Sequence, residues 1–139
     1  MSDEALLKLI RTRSVGALAT LMPDGRPQLS TIVYGVDEDG STVRISVTDD
    51  RVKTRNLRRD PRAALYVNSE DGWSWVVAEG IAELSPVATG PQDDTVRELI
   101  ELYRSIRGEE HPDWDDYRRA MVAERRLVVR LVVRRLYGG

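Results

Sequence analysis

The sequence predicts a mainly β domain of β+α type: a closed or nearly closed barrel of about six antiparallel strands with flanking helices. Three observations carry this reading. Apolar and polar residues alternate with a period of two in short segments, as Val43, Ile45 and Val47 do against Arg44, Ser46 and Thr48. Tight turn signals separate these segments, and over the first half they leave no room for the crossover helices of a parallel sheet. Helical periodicity is confined to the start of the chain, a short basic stretch and the region before the last strand. At 139 residues the whole chain, 1–139, suits a single domain around one core.

A first helix is predicted over Asp3 to Arg13, where Leu6, Leu7, Leu9 and Ile10 form an apolar stripe and Ser2 or Asp3 is the cap. Val15 to Met22 and Pro27 to Tyr34 then form a hairpin around Pro23-Asp-Gly-Arg26, with Pro and Gly where a turn favours them. Asp37-Glu-Asp-Gly40 turns the chain into a third strand, Thr42 to Thr48. A short charged helix follows and stops at Asp60-Pro61, because a residue before proline is driven out of helical geometry. Ala63 to Val67 reads as a fourth strand, Ser69-Glu-Asp-Gly72 as a turn and Trp73 to Leu84 as a long fifth strand. Ser85 to Gly90 is a loop. Val96, Leu99, Ile100, Leu102 and Tyr103 recur at helical spacing across Asp93 to Ile106, with acids first and Arg104 and Arg107 last, as the helix dipole favours. Asp113 to Glu124 is a further helix, and Leu127 to Leu136 a Val-rich last strand.

Composition removes several chemistries. Without cysteine there are no disulfides, thiol nucleophiles or thiolate metal sites, and the single histidine, His111, leaves no imidazole cluster for a metal or a triad. A net charge of -2 argues against nucleic-acid binding, which relies on a strong positive field. No apolar stretch approaches the ~20 residues of a membrane helix, and the acidic start Met1-Ser-Asp-Glu4 has no signal-like run, so the expectation is a soluble, cytoplasmic protein with no membrane partner. Dinucleotide and P-loop glycine motifs are absent. Asp93-Asp94 and Asp115-Asp116 read as helix N-terminal residues, and nothing assembles a nucleophile, base and orienter. No catalytic residue is assigned; any redox reactivity must come from a cofactor.

The segment Arg51-Val-Lys-Thr-Arg-Asn56 is the candidate site. It lies where a strand gives way to a helix, so cations and unpaired first-turn N–H groups converge on one place suited to a phosphate. Mid-helix, Lys53 would point away from Arg51 and Arg55; convergence requires the first turn to start near Arg51 to Lys53. Asp49 and Asp50 are expected to cap that helix. Ser46 and Thr48 on the preceding strand, and Gln28 and Ser30 on the strand before it, either face solvent or offer hydroxyls and an amide to a ring edge. Trp73 and Trp75 alternate on one face and either pack at a core or interface or wall a flat ring.

In order and spacing, several stretches together resemble the pyridoxamine 5'-phosphate oxidase-like split β-barrel family, and within it the actinobacterial branch that binds the deazaflavin F420. They are Val15-Gly-Ala-Leu-Ala-Thr20, Asp24-Gly-Arg-Pro-Gln-Leu-Ser30, Arg51 to Ala63, Asp71-Gly-Trp-Ser-Trp75, Ala78-Glu-Gly80 and Asp113-Trp-Asp-Asp-Tyr-Arg118. The resemblance implies a homodimer with two cofactor sites at the subunit interface. It implies a phosphate grip by Arg51 and Lys53 helped by Thr54, Arg55 and Asn56, with Gln28, Ser30, Val47 and Ser46 or Thr48 along the cofactor and Trp73 or Trp75 reaching from the partner. Pyridoxamine phosphate oxidases proper carry a C-terminal Arg and His substrate grip, whereas this sequence ends Leu136-Tyr-Gly-Gly139, so vitamin B6 oxidation is not expected. The implied activity is F420-dependent reduction of a small unsaturated substrate. The alternatives are an FMN-binding protein of the same fold, a non-enzymatic carrier of either cofactor, and a structural dimer with a basic patch.

Overall fold

Alternation along the strands becomes an inside and an outside. The computed structural model describes residues 1–139 and orders them α1 (Asp3–Thr12), β1 (Val15–Leu21), β2 (Pro27–Val36), β3 (Thr42–Thr48), α2 (Val52–Arg59), β4 (Arg62–Asn68), β5 (Trp75–Leu84), α3 (Asp94–Arg107), α4 (Trp114–Ala123) and β6 (Arg126–Gly138). The six strands form one closed antiparallel circuit, β1-β2-β3-β6-β5-β4. Val43, Ile45 and Val47 point into it and are fully buried with Leu18, Leu65, Val76 and Leu127. Removing such surface from water, at roughly 25 cal/mol per Å² of apolar area, is what drives closure.

The circuit is uneven. β1–β2, β3–β6 and β4–β5 each align over seven residue pairs. By contrast β2 meets β3 only at Tyr34, Gly35 and Val36, and β1 meets β4 only from Ala17 to Ala19. The barrel is thus a two-stranded hairpin and a four-stranded sheet joined by two short seams. From Val33 back to Pro27, β2 has no partner on its β3 side, and there the barrel is split.

A helix closes each end. α1, capped by Ser2, lays Leu6 and Ile10 into the end where β1 begins, and the buried Tyr34 hydroxyl donates to the Ile10 carbonyl at 2.6 Å. α2 closes the opposite end with Leu57 in the core and Thr54 and Asn56 buried beside it. The polar groups that α2 buries are satisfied: Asn56 Nδ2 donates to Thr20 Oγ1 at 3.1 Å, Thr20 donates to Gln28 Oε1 at 2.9 Å, and Thr54 Oγ1 donates to the Thr48 carbonyl.

α3 and α4 lie outside the barrel across β3 and β6, packing Leu99, Ile100 and Met121 against Val128. Arg44 and Arg130 stand directly opposite each other on those strands, an arrangement that repels. Glu98 of α3 resolves it: Oε2 accepts from Arg44 Nε at 3.1 Å and from Arg130 Nε at 2.7 Å. α3 is thereby pinned in place by one carboxylate. No helix is long and apolar enough to cross a membrane.

Most elements fall where expected, and the differences have causes. β2 continues through Val36 because it finds β3 only there. β5 begins at Trp75 rather than Trp73, since Asp71 accepts from the Trp73 N–H and holds that residue in the turn. β6 runs past Leu136 to Gly138, where Trp75 lies so close that an added Cβ would sit 2.1 Å from its carbonyl oxygen. Asp93 caps α3 and Asp113 caps α4, as the acidic pairs implied. His111 is half-buried against Tyr103, Trp114 and Tyr117.

The hydrogen bond from Arg130, reinforced by Arg44, holds the Glu98 carboxyl below its ordinary value of 4.5. A depressed folded-state pKa gives stability that is complete above the unfolded value and is lost as pH falls through the folded one. Glu98→Gln should therefore lower the melting temperature at neutral pH and flatten its fall below about pH 4.5. Melts across that range check it, and an acid limb identical to the parent's would detach Glu98 from the transition.

Candidate functional site

β3 leaves the barrel at Thr48, and the chain enters α2 through Arg51, which occupies the N-cap position in extended geometry. Asp49 and Asp50 do not cap the helix as expected. Asp49 is drawn off by Arg58 at 2.6 Å and Arg125 at 2.9 Å, and Asp50 accepts from Thr48 Oγ1 at 2.9 Å. No side chain caps α2, and the N–H groups of Val52, Lys53 and Thr54 meet no acceptor in the chain. A bare helix N-terminus is an anion seat by hydrogen bonding and by dipole.

Lys53, in that first turn, lines a cavity of about 370 Å³ at the split. β2 contributes Thr31, Ile32 and Val33, β3 contributes Ser46, and β6 contributes Arg126. α3 supplies Leu99, Leu102, Tyr103, Ile106 and Arg107, and α4 supplies Tyr117. Three cations line this space and no carboxylate does. Burial, then the charges of Arg51 and Arg126, hold the Lys53 amine below its ordinary range. An anion placed among them would relieve that repulsion. Tyr117 is no acid at neutral pH, because burial pushes its phenol up to about 12 and its hydroxyl donates to the Leu99 carbonyl at 3.1 Å. A cavity of about 400 Å³ beside Arg44 and Glu98 is neutralised from within, since Arg44 pairs with both Asp37 and Glu98.

Of the residues singled out by sequence, Lys53 and Ser46 meet in the cleft, with Arg51 and Thr48 at its α2 end. Thr54 and Asn56 are buried and engaged, Thr54 Oγ1 donating to the Thr48 carbonyl at 2.8 Å and Asn56 to Thr20. They support the turn from beneath. Arg55 donates to the Asp50 carbonyl at 2.8 Å and is exposed. The Val47 side chain belongs to the core. Gln28 and Ser30 share the inward alternation of Ile32 and Tyr34, whereas Ser46 and Thr48 face outward, so the two polar pairs lie on opposite faces of the barrel wall. Ser30 Oγ is the one buried side-chain polar atom without a hydrogen-bond partner, next to Thr31 in the unpaired stretch of β2.

Trp73 is 86% exposed on the β4–β5 turn, and Trp75 stacks on Tyr66 and meets Tyr137 edge-on on the outer wall, so neither lines the cleft of its own chain. Sequence reading missed Arg126, Arg107 and the two tyrosines. Arg126 arrives because β6 pairs it with Thr48. Its only trace in the sequence is a basic pair, Arg125-Arg126, at the entry to a Val-rich strand.

A closed antiparallel barrel, opened at one seam and carrying a cationic cleft there, defines a split-barrel protein whose cleft is suited to an anion. A family profile described as pyridoxamine 5'-phosphate oxidase matches residues 2–137, and the chain belongs to that family. Solved structures of the same fold include a conserved hypothetical protein, Rv2991, from Mycobacterium tuberculosis, 27% identical over 99% of this chain and 84% of that one, with a TM-score of 0.77. An F420 reductase is 23% identical over 94% of both chains, with a TM-score of 0.65. A heme binding protein from Mycobacterium smegmatis is 25% identical, with a TM-score of 0.69, over 98% of this chain and 52% of that one, so this chain spans about half its length.

Replacing Arg126 by Gln should raise the Lys53 pKa toward the ordinary lysine value of 10.5, because one of two neighbouring cations is gone. Titration of the Lys53 Nζ resonance reads this directly, and an unmoved value would separate the two side chains.

Proposed function

We propose that this protein is an F420-dependent oxidoreductase that reduces a small unsaturated substrate, working as a homodimer. The single observation behind the reading is the carboxylate-free cleft in which Lys53 and Arg126 adjoin an uncapped helix N-terminus. The donor set fits a phosphate: fixed N–H groups at Val52, Lys53 and Thr54, with Arg51 and Lys53 as charged partners. Leu99, Leu102 and Ile106 give the cleft beyond that seat an apolar wall that excludes water. When bound, a deazaflavin supplies a hydride, two electrons in one step, to an electron-poor double bond. The chain itself binds, orients and desolvates. No side chain at the site is poised as a general acid, so the proton that completes the reduction comes from solvent.

The same seat accepts FMN, the alternative cofactor. Titration of the purified protein with each, followed by absorbance and fluorescence, separates them, and a clear preference for FMN would overturn the deazaflavin reading. Binding without hydride transfer to any quinone, nitro compound or enone would make the protein a carrier. Lys53→Ala should weaken either cofactor by roughly 1.5 to 3 kcal/mol through loss of a charge-assisted bond. Equal affinity in variant and parent would remove Lys53 from the site.

Support for the homodimer comes from the outer wall of β1, β2 and β4. Val15, Leu29, Val33 and Tyr66 are exposed there around the small residues Ala17, Ala19 and Ala64. An apolar face of this kind is what a partner surface covers. The exposure of Trp73 on its turn supports its assignment as the side chain that reaches the partner. Leu29→Glu combined with Tyr66→Glu, both outside the cleft lining, should give a monomer in sedimentation with weakened cofactor binding, whereas an unchanged mass would relocate the interface.

A further inference from the structure

The cleft has two cationic ends, and a phosphate accounts for one. Lys53 and Arg126 gather at the α2 end, beside Thr48. Arg107 lines the same cavity from the last turn of α3. Its neighbour Ile106 packs against Gly35, and Gly35 pairs with Arg44 on β3. Arg44 and Thr48 are four strand residues apart, roughly 13 Å at the rise of a β-strand. Arg107 thus stands at the far end.

Its surroundings leave its charge unanswered. Arg104, one turn earlier, takes both nearby carboxylates, Glu101 at 2.6 Å and Glu110 at 2.7 Å, and no carboxylate pairs with Arg107. The guanidinium lies 5.5 Å from the centre of the Tyr103 ring, which is fixed in turn by edge contacts to Trp114 and Tyr117. A flat, rigid donor fork over a rigid ring is suited to a planar carboxylate. Between the two ends the wall is apolar, with Leu99 and Leu102 on one side and Val33 on the other.

We propose that the far end is the substrate's seat, and that the substrate is a conjugated organic acid. Its planar body lies on the apolar wall and Tyr103, its carboxylate pairs with Arg107, and Arg107 sets specificity. This rests on the reading of the α2 end as the cofactor's phosphate seat. Arg107 is itself exposed, so its preference for an acid comes from a charge-assisted pair at the mouth of the cleft, which a neutral analogue cannot make.

trans-Cinnamate and its methyl ester share one conjugated ring and differ in charge, so calorimetric titration of the full chain with each tests the seat. The acid should bind at least about tenfold more tightly than the ester, Arg107→Gln should bring the two within about twofold, and Arg107→Lys should recover part of the difference. F420 affinity, read by fluorescence, should stay within about twofold in Arg107→Gln. The proposal fails if the ester matches the acid, if neither binds, if the preference survives Arg107→Gln, or if that variant loses F420 affinity, which would assign Arg107 to the cofactor. A parent that prefers the acid yet binds no F420 would instead overturn the cofactor reading and leave the acid seat standing.

Discussion

The parting of β2 from β3 is the constraint on which the rest of the molecule depends. β3 leaves the barrel at Thr48 to enter α2, while β2 stays with β1 back to Pro27, so the two strands can pair only near Tyr34. An open barrel end would expose core, and α2 answers by placing Leu57 inside and tying Asn56 to Thr20 and Gln28. Buried polar groups are costly unless paired, and this short chain of bonds makes the plug tolerable. The same parting creates the cleft. Structural closure and ligand access are therefore two consequences of one divergence.

Charge is then distributed so that the cleft keeps its cations. The chain as a whole carries a net charge of -2, and most arginines away from the split are spent on partners. Asp49, two residues before the α2 N-cap, is held by Arg58 and Arg125 instead of capping the helix, and Asp50 by the Thr48 hydroxyl. Arg126 keeps one contact, to Glu124 at 2.9 Å, and still lines the cavity. Such local excess within an acidic protein favours a defined anion over a polyanionic surface.

Glu98 links these two levels. By bridging Arg44 and Arg130 across adjacent strands it fixes α3 on the barrel, and α3 provides much of the cleft's apolar wall and its far cation. A carboxylate outside the cleft thus holds the helix that forms one of its walls. The outer wall of β1, β2 and β4 is the complementary case, apolar and uncovered within one chain. One surface is finished intramolecularly, and the other leaves apolar side chains exposed on the single chain.

Strand periods, turns, caps and the basic run are local properties, and the sequence by itself determined them. Val43, Ile45 and Val47 announced a buried face, Asp93 and Asp113 announced helix starts, and Arg51 to Asn56 announced a cationic strand-to-helix junction. A period of two says that faces differ but not what lies against each, so Ser30 and Ser46 looked alike until closure put one inside and the other outside. Tertiary structure alone decided that Thr54 and Asn56 support the turn, that Trp73 leaves the strand, and that Arg126 and Arg107 join Lys53. Those outcomes depend on strand registers and helix placements between residues far apart in sequence, which no local pattern encodes.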